Sequence, residues 1–185
     1  MRAPRVRALI AAALAVSLLM GGAFLVVSRL YPPPSETLDH PVDPVTDAAS
    51  AAQVIESVKQ IVALAQFQTA SAGYLLMSCK DQHDPPYQGA IYLTFRLPAG
   101  ARADTYFKST AATLVTHGWT EGLPPNDHPF GATVSKDAVT AIIYPPGDDP
   151  SVGVLRAYGE CRNVNDHRND ASGWIDITNQ FPSTG

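Results

Sequence analysis

Hydrophobic residues fill the chain from Ala8 to Val27, an uncharged run that follows Arg2, Arg5 and Arg7. At about 1.5 Å per residue, a helix of this length covers about 30 Å, which is the thickness of a bilayer's hydrocarbon core. Basic flanks stay on the cytoplasmic side of a membrane. Residues 1–29 therefore predict a cytoplasmic tip and a signal anchor, in a single-pass protein of the cell membrane whose remaining chain is extracytoplasmic.

A cleaved signal peptide is the alternative interpretation of the same residues. Gly21, Gly22 and Ala23 are small enough for a signal peptidase site after an apolar core. The apolar run continues through Phe24 to Val27, however, and so reaches the length of a full span. This continuation favours an uncleaved anchor. Lipid attachment at a signal junction needs a cysteine, and this segment contains none.

A proline-rich segment separates the predicted anchor from the rest of the chain. Residues 30–46 contain five prolines and few apolar side chains. Such composition favours polyproline II, which extends about 3.1 Å per residue and could hold a domain up to about 40 Å from the membrane. We therefore predict a stalk over 30–46, an α+β domain over 47–165, and a C-terminal tail over 166–185 that packs on the domain or trails from it.

The first half of the domain changes from helical to strand periodicity. Apolar residues recur at helical spacing after Asp43 and Pro44, a plausible cap and first-turn pair, at Ile55, Val58, Ile61, Val62 and Ala65. A short apolar run from Tyr74 to Cys79 then predicts a strand, in which Leu75, Met77 and Cys79 share a side. Gly89 to Leu97 alternates apolar and polar residues, as in a sheet with one wet face.

The second half repeats this plan. Helical spacing returns between Arg102 and His117 and ends at Gly118, and strands are predicted over Gly131–Lys136, Ala138–Tyr144 and Val152–Cys161. Each half thus has a helix followed by antiparallel strands, a possible tandem αββ unit. The predicted fold class is α+β, with an antiparallel sheet covered on one face by two helices and preceded by the single transmembrane helix.

The predicted anchor segment is basic, whereas the rest of the chain is acidic. Four of the thirteen basic residues precede residue 30, whereas all seventeen acidic residues follow it, so residues 30–185 carry a formal charge of −8. An acidic domain argues against nucleic acid and anionic lipid headgroups as partners.

Cys79 and Cys161 are the only cysteines in the sequence. Both fall on the side of the membrane where thiols normally oxidise, so we predict that they form a disulfide. Leu155 and Ala157 share the strand side of Cys161, which suggests that both cysteines point into the core. A reactive or metal-binding pair is the alternative, although the sequence has no Cys-x-x-Cys motif.

Several short segments resemble a group of small mycobacterial envelope lipoproteins, the LppJ-like group. The resemblance covers residues 50–170 and is carried by Lys59–Val62, Asp84–Tyr87, His117–Trp119, Gly159–Asn163 and Asp166–His167. It implies a surface-anchored envelope protein and no particular activity. The chain departs from the group because it lacks the lipid-acceptor cysteine.

Candidate chemistry is sparse. The sequence contains no G-x-S-x-G, H-E-x-x-H, Walker or dinucleotide-binding motif, and we predict no cofactor. Acidic residues and histidines follow both cysteines, and His83, Asp84 and His167 would be candidate metal ligands if both loops left the disulfide at the same edge of the sheet. Polar loops of this composition are also ordinary turn material. Four aromatic residues could line a groove or simply pack: Tyr87, Tyr92, Trp119 and Phe130.

Location and the absence of catalytic motifs together favour one class of function. We predict a non-enzymatic binding or scaffolding module of the cell envelope, attached to the membrane through Ala8 to Val27, that interacts with an envelope protein and not with nucleic acid. The alternatives are an envelope enzyme or divalent-metal-binding protein that uses the loops near His83 and His167, and a small-ligand carrier.

Overall fold

A computed structural model describes residues 41–80, 84–128, 130–147, 149, 151–170 and 173–182. The predicted anchor over Ala8–Val27 and the stalk up to residue 40 lie outside these residues. Within the described parts of the chain, neither helix combines the length and apolar character that crossing a bilayer requires.

The described residues form two α-helices and seven strands, in the chain order α1, β1, β2, α2 and then β3 to β7, followed by a short 3-10 helix at Thr178–Gln180. The helices are α1 (Asp47–Ala65) and α2 (Ala103–Thr116). The strands are β1 (Gln68–Ser78), β2 (Tyr87–Arg96), β3 (Thr120–Glu121), β4 (Ala132–Lys136), β5 (Val139–Tyr144), β6 (Val152–Tyr158) and β7 (Ile175–Asp176).

All seven strands form one antiparallel sheet, in the order β3-β4-β5-β6-β2-β1-β7. Each helix is followed by antiparallel strands, as expected, but α2 is followed by five strands, whereas the sequence predicted three after it. Strands β1 and β6 both pair antiparallel with β2, which lies between them. They therefore run in the same direction, and their C-terminal ends lie at the same end of the sheet.

Both helices cover one face of this sheet, which confirms the predicted α+β class. Ile91 and Leu93 of β2 stand opposite Ala157 and Leu155 of β6, and all four side chains are buried. They form one apolar core with the buried residues of the helices, which are Val54, Val58, Ile61 and Val62 in α1 and Phe107, Ala111 and Leu114 in α2.

Helix α1 begins later than the sequence suggested. Thr46, in extended conformation, is the N-cap, and its Oγ1 accepts a hydrogen bond from the amide of Ala49 at 3.2 Å. The expected cap and first-turn pair, Asp43 and Pro44, precedes this cap, and Asp43 has φ 54°. Asp47 does occupy the first turn, where the positive end of the helix dipole favours a carboxylate.

The predicted core position of both cysteines is wrong. Strands β1 and β6 end at Ser78 and Tyr158, so Cys79 and Cys161 lie beyond their ends and remain partly exposed. The side of β1 that faces the core carries Ala72 and Tyr74. Leu75 and Met77 lie on the opposite side of β1, and Cys79 continues their spacing beyond the end of the strand.

The C-terminal residues that the structure describes join the domain. Strand β7 pairs with β1 through Gly73 and Asp176 and through Tyr74 and Ile175. Ile177 and Phe181 then enter the hydrophobic core. Residues 173–182 thus close one edge of the sheet.

Candidate functional site

The disulfide joins Cys79 to Cys161, with the two Cα atoms 6.1 Å apart. Because β1 and β6 run in the same direction, the chain leaves both cysteines at the same edge of the sheet. Both loops thus leave the disulfide on the same side, as a metal site between them would require. The positions of the candidate side chains then decide whether such a site forms.

Two of the three candidate metal ligands can be placed. His83 lies outside the described residues. The backbone carbonyl of Asp84 accepts a hydrogen bond from the Ser78 hydroxyl at 2.6 Å. The pKa of Arg168 is raised mainly by its hydrogen bond to Asp166, and the charge of Asp84 adds a smaller contribution. In the part of the chain that the structure describes, no group of three or more His, Cys, Asp or Glu side chains is arranged to hold a metal ion.

His167 lies between two carboxylates. Its Nε2 is 3.1 Å from Asp47 Oδ1 and its Nδ1 is 2.7 Å from Asp170 Oδ2, while its side chain is only 9% exposed. Burial lowers the pKa of His167, but the hydrogen bonds and charges of Asp170 and Asp47 outweigh burial, so the pKa is raised overall. Only the protonated imidazole has two N–H groups, so only that form donates to both carboxylates.

Asp47 is the centre of this arrangement. Its Oδ1 also accepts hydrogen bonds from Asn163 Nδ2 at 2.8 Å and Asn165 Nδ2 at 2.7 Å. These bonds, that of Asn163 first, lower the pKa of Asp47. We call Asp47, Asn163, Asn165, His167 and Asp170 the His167 cluster. Both imidazole nitrogens have carboxylate partners, so the cluster links the start of α1 to the segment that follows β6.

The sheet face that the helices do not cover carries a different set of side chains. We call this the open face. In its central row Tyr92 of β2 stands between Gly73 of β1 and Arg156 of β6. The Arg156 guanidinium lies 5.4 Å from the centre of the Tyr92 ring and 5.8 Å from that of Tyr144, within the range of cation–π attraction.

Trp174, just before β7, forms the wall of a cleft on the open face. Its ring centre lies 6.1 Å from that of Tyr92, and the two planes are inclined at 54°. Trp174 packs on Gly73, where an added β carbon would stand 3.0 Å from Trp174 Cβ. The cleft has a volume of about 290 Å³ and is lined by Ser71, Ala72, Gly73, Tyr92, Trp174, Asp176 and Thr178.

The four aromatic residues do not line one groove, and packing, the other interpretation of the sequence, holds for two of them. Tyr87 and Trp119 are buried in packing, and Phe130 is 54% exposed. Tyr92 alone of the four lines the cleft. Its partner Trp174 was not singled out in the sequence, because a single tryptophan in a polar segment gives no periodic signal that would place it on β1.

Residues 46–180, which include both helices, the sheet and both cysteines, match the sequence model of the family described as "Putative lipoprotein LppJ". The chain belongs to this family. It is 41% identical over 175 residues to the putative lipoprotein LppJ of Mycobacterium tuberculosis, which covers 95% of the chain and 91% of that relative. The LppJ protein of Mycobacterium bovis is likewise 41% identical, over 176 residues.

No solved structure matches the chain significantly. The LppJ family match confirms the resemblance inferred from the short segments of the sequence. It extends through β7, and therefore includes Trp174 and the whole cleft on the open face.

Proposed function

We propose that this chain is a membrane-anchored, extracytoplasmic binding or scaffolding module of the cell envelope, without enzymatic activity of its own. The observation that carries the binding role is the open face. A two-layer domain needs its sheet covered on one side to form a core, and α1 and α2 provide that cover. The aromatic and charged side chains on the other side, Tyr92, Arg156 and Trp174, are not needed to close the core and are available to a partner.

The envelope location rests on three separate observations. The relatives are named lipoproteins. The uncharged run from Ala8 to Val27 follows three arginines, which favours an extracytoplasmic domain. The Cys79–Cys161 disulfide is typical of oxidising compartments.

The proposed anchor is proteinaceous. Lipid attachment uses a cysteine thiol, and both cysteines in this sequence belong to the disulfide. The apolar run of Ala8 to Val27 would replace the lipid, and residues 30–46 would hold the domain away from the bilayer.

Membrane extraction tests the anchor. The full chain, expressed in a mycobacterial host, should remain in the membrane pellet after alkaline carbonate treatment, and externally added protease should digest the domain in spheroplasts. A matched variant with Leu18→Arg and Leu19→Arg should leave the carbonate-resistant fraction, because two charges in the span oppose insertion. Release of the unaltered chain by carbonate would contradict the anchor.

Site-specific photocrosslinking tests the binding face. A photoreactive residue at Thr94, on the open face between Ser71 and Val154, should give crosslinked envelope material in intact cells. The same residue at Glu56, which is 69% exposed on α1, is the control on the opposite side of the domain. Equal labelling at both positions, or none at Thr94, would contradict a binding role for the open face.

A further inference from the structure

The cleft beside Trp174 has the chemistry of a binding site for an uncharged sugar. Two tilted aromatic rings, Tyr92 and Trp174, form adjoining walls, and Trp174 is 49% exposed. The negative face of an aromatic ring attracts the weakly positive C–H groups of a saturated ring, and burial of the same surface from water adds to the attraction.

Polar groups surround these aromatic walls. The Ser71 and Thr94 hydroxyls lie 2.7 Å apart, and each oxygen can still accept a further hydrogen bond. Asp176 Oδ1 accepts the amide of Thr178 at 2.9 Å, which leaves Oδ2 as an acceptor for a ligand hydroxyl. Hydrogen-bonding groups beside an apolar wall are what a ligand with hydroxyls on its rim and C–H groups on its faces requires.

The charges near the cleft disfavour ionic ligands of either sign. The hydrogen bonds that Asp176 accepts from Thr178 lower the pKa of its carboxyl, which is therefore ionised at neutral pH. The Arg156 guanidinium stands 5.4 Å from the centre of the Tyr92 ring. The opposite charges of Arg156 and Asp176 offset each other, so an ion of either sign gains little net attraction in the cleft and still loses part of its hydration.

The walls are held in place before any ligand arrives. Trp174 packs closely on Gly73, where an added β carbon would stand 3.0 Å from Trp174 Cβ, and the Thr178 hydroxyl accepts the amide of Ala72 at 2.9 Å. A preformed site loses less conformational entropy on binding. At about 290 Å³ the cleft is close to the lower limit of typical small-ligand pockets, about 300 Å³, so it suits one or two sugar rings.

We propose that the cleft formed by Tyr92, Trp174 and Asp176 binds a neutral saccharide, one or two rings at a time. This inference names the ligand class for the open face and so rests on the proposed function. It is a recognition site, and no covalent step is involved.

Calorimetric titration of the full chain tests the proposal, in a zwitterionic detergent that has no sugar headgroup to compete. The probes are glucose, galactose, mannose, arabinose and the disaccharides maltose and lactose. At least one should bind with a dissociation constant on the order of 1 mM. Glucosamine and glucuronate, which add one charge of either sign to the same ring, should bind at least about tenfold more weakly than glucose if glucose binds.

Variants separate the cleft from the rest of the surface. Trp174→Ala should abolish saccharide binding, and Gly73→Ala should weaken it because the new methyl group displaces Trp174. Leu123→Ala, at an apolar residue 88% exposed on another loop, should bind as the unaltered chain does. If both cleft variants melt at the same temperature as the unaltered chain, the loss of saccharide binding is local to the cleft.

Three results would overturn the proposal: no binding of any neutral probe, binding that Trp174→Ala leaves unchanged, and preference for a charged sugar. The crosslinking experiment keeps the two proposals apart. Crosslinks from Thr94 without saccharide binding would refute the sugar site and leave the binding module intact, whereas their absence would refute the binding module itself.

Discussion

The ring of Phe95 occupies the space that a β carbon on residue 153 would need, so Gly153 is the residue that lets β2 and β6 pair at this point. The same ring stacks on Phe67, with centres 3.8 Å apart and planes 8° from parallel. Phe95 is fully buried and is held from both sides. It cannot move aside without disturbing the core.

We therefore expect Gly153→Ala to lower the free energy of unfolding by about 1–3 kcal/mol, the usual cost of overpacking a dense core. Urea unfolding followed by circular dichroism measures the change. Gly173→Ala is the matched control, because nothing lies within 4 Å of its added methyl group. Equal stability of Gly153→Ala and Gly173→Ala would contradict the packing argument.

The disulfide should contribute a large share of the domain's stability. It closes a loop with a sequence separation of 82, which corresponds to about 4 kcal/mol of lost unfolded-state entropy in the chain-entropy model. Replacing both residues, by Cys79→Ser with Cys161→Ser, should lower the free energy of unfolding by about 2–5 kcal/mol in urea. Reductant should destabilise the unaltered domain similarly and leave the double variant unaffected. An unaltered unfolding curve for fully reduced protein would disprove this contribution.

The His167 cluster should make stability depend on pH. The pKa of His167 is raised in the folded state, so its stabilising effect is fully present below the unfolded value of about 6.5. That effect is lost as the pH rises through the folded pKa. The free energy of unfolding should therefore decrease as the pH rises above about 6.5 and through the raised pKa of His167.

His167→Gln should flatten this part of the profile, because an amide replaces the titrating ring between Asp47 and Asp170. Urea unfolding at a series of pH values measures the effect. The variant should be less stable than the unaltered chain at pH 6, and the difference in the free energy of unfolding should narrow as the pH rises. Parallel profiles for the two proteins would show that His167 is not the titrating group.

The N-cap of α1 offers a fourth test. Thr46→Ala removes the hydroxyl that accepts the Ala49 amide and should cost about 1 kcal/mol in thermal or urea unfolding. Thr113→Ala removes a hydroxyl that donates to the Ser109 carbonyl within α2 and is the comparison. Alanine favours the helix interior, so Thr113→Ala should be neutral or slightly stabilising. A loss of similar size at both positions would argue against specific capping by Thr46.

Hydrophobic periodicity predicted the helices and the long strands because each of them buries one side along its whole length. Phe107, Ala111 and Leu114 recur at helical spacing and are all buried in α2. The two-residue strands β3 and β7 were missed, since two residues have no period and their conformation depends on pairing with β4 and β1. The predicted strands left only Asp137 between them, whereas β5 begins at Val139 and the turn contains both Asp137 and Ala138, each at positive φ.

The candidate sites were harder to predict because they join distant residues. His167 was singled out from its neighbours in sequence, but its partner Asp47 lies 120 positions away, in the first turn of α1. Tyr92 and Trp174 meet because β7 pairs with β1, and a strand as short as β7 cannot be recognised from its own residues.

Hydrogen bonds link the segment just before α1 to the residue that follows the disulfide. The Val45 amide donates to the Arg162 carbonyl at 3.1 Å, and Arg162 Nη1 donates to the Asp43 carbonyl at 3.3 Å. Arg162 follows Cys161, which is covalently tied to Cys79. A pull on the chain at Asp43 is therefore shared with the segment that the disulfide holds in place. These two hydrogen bonds must break before the full load reaches the start of α1.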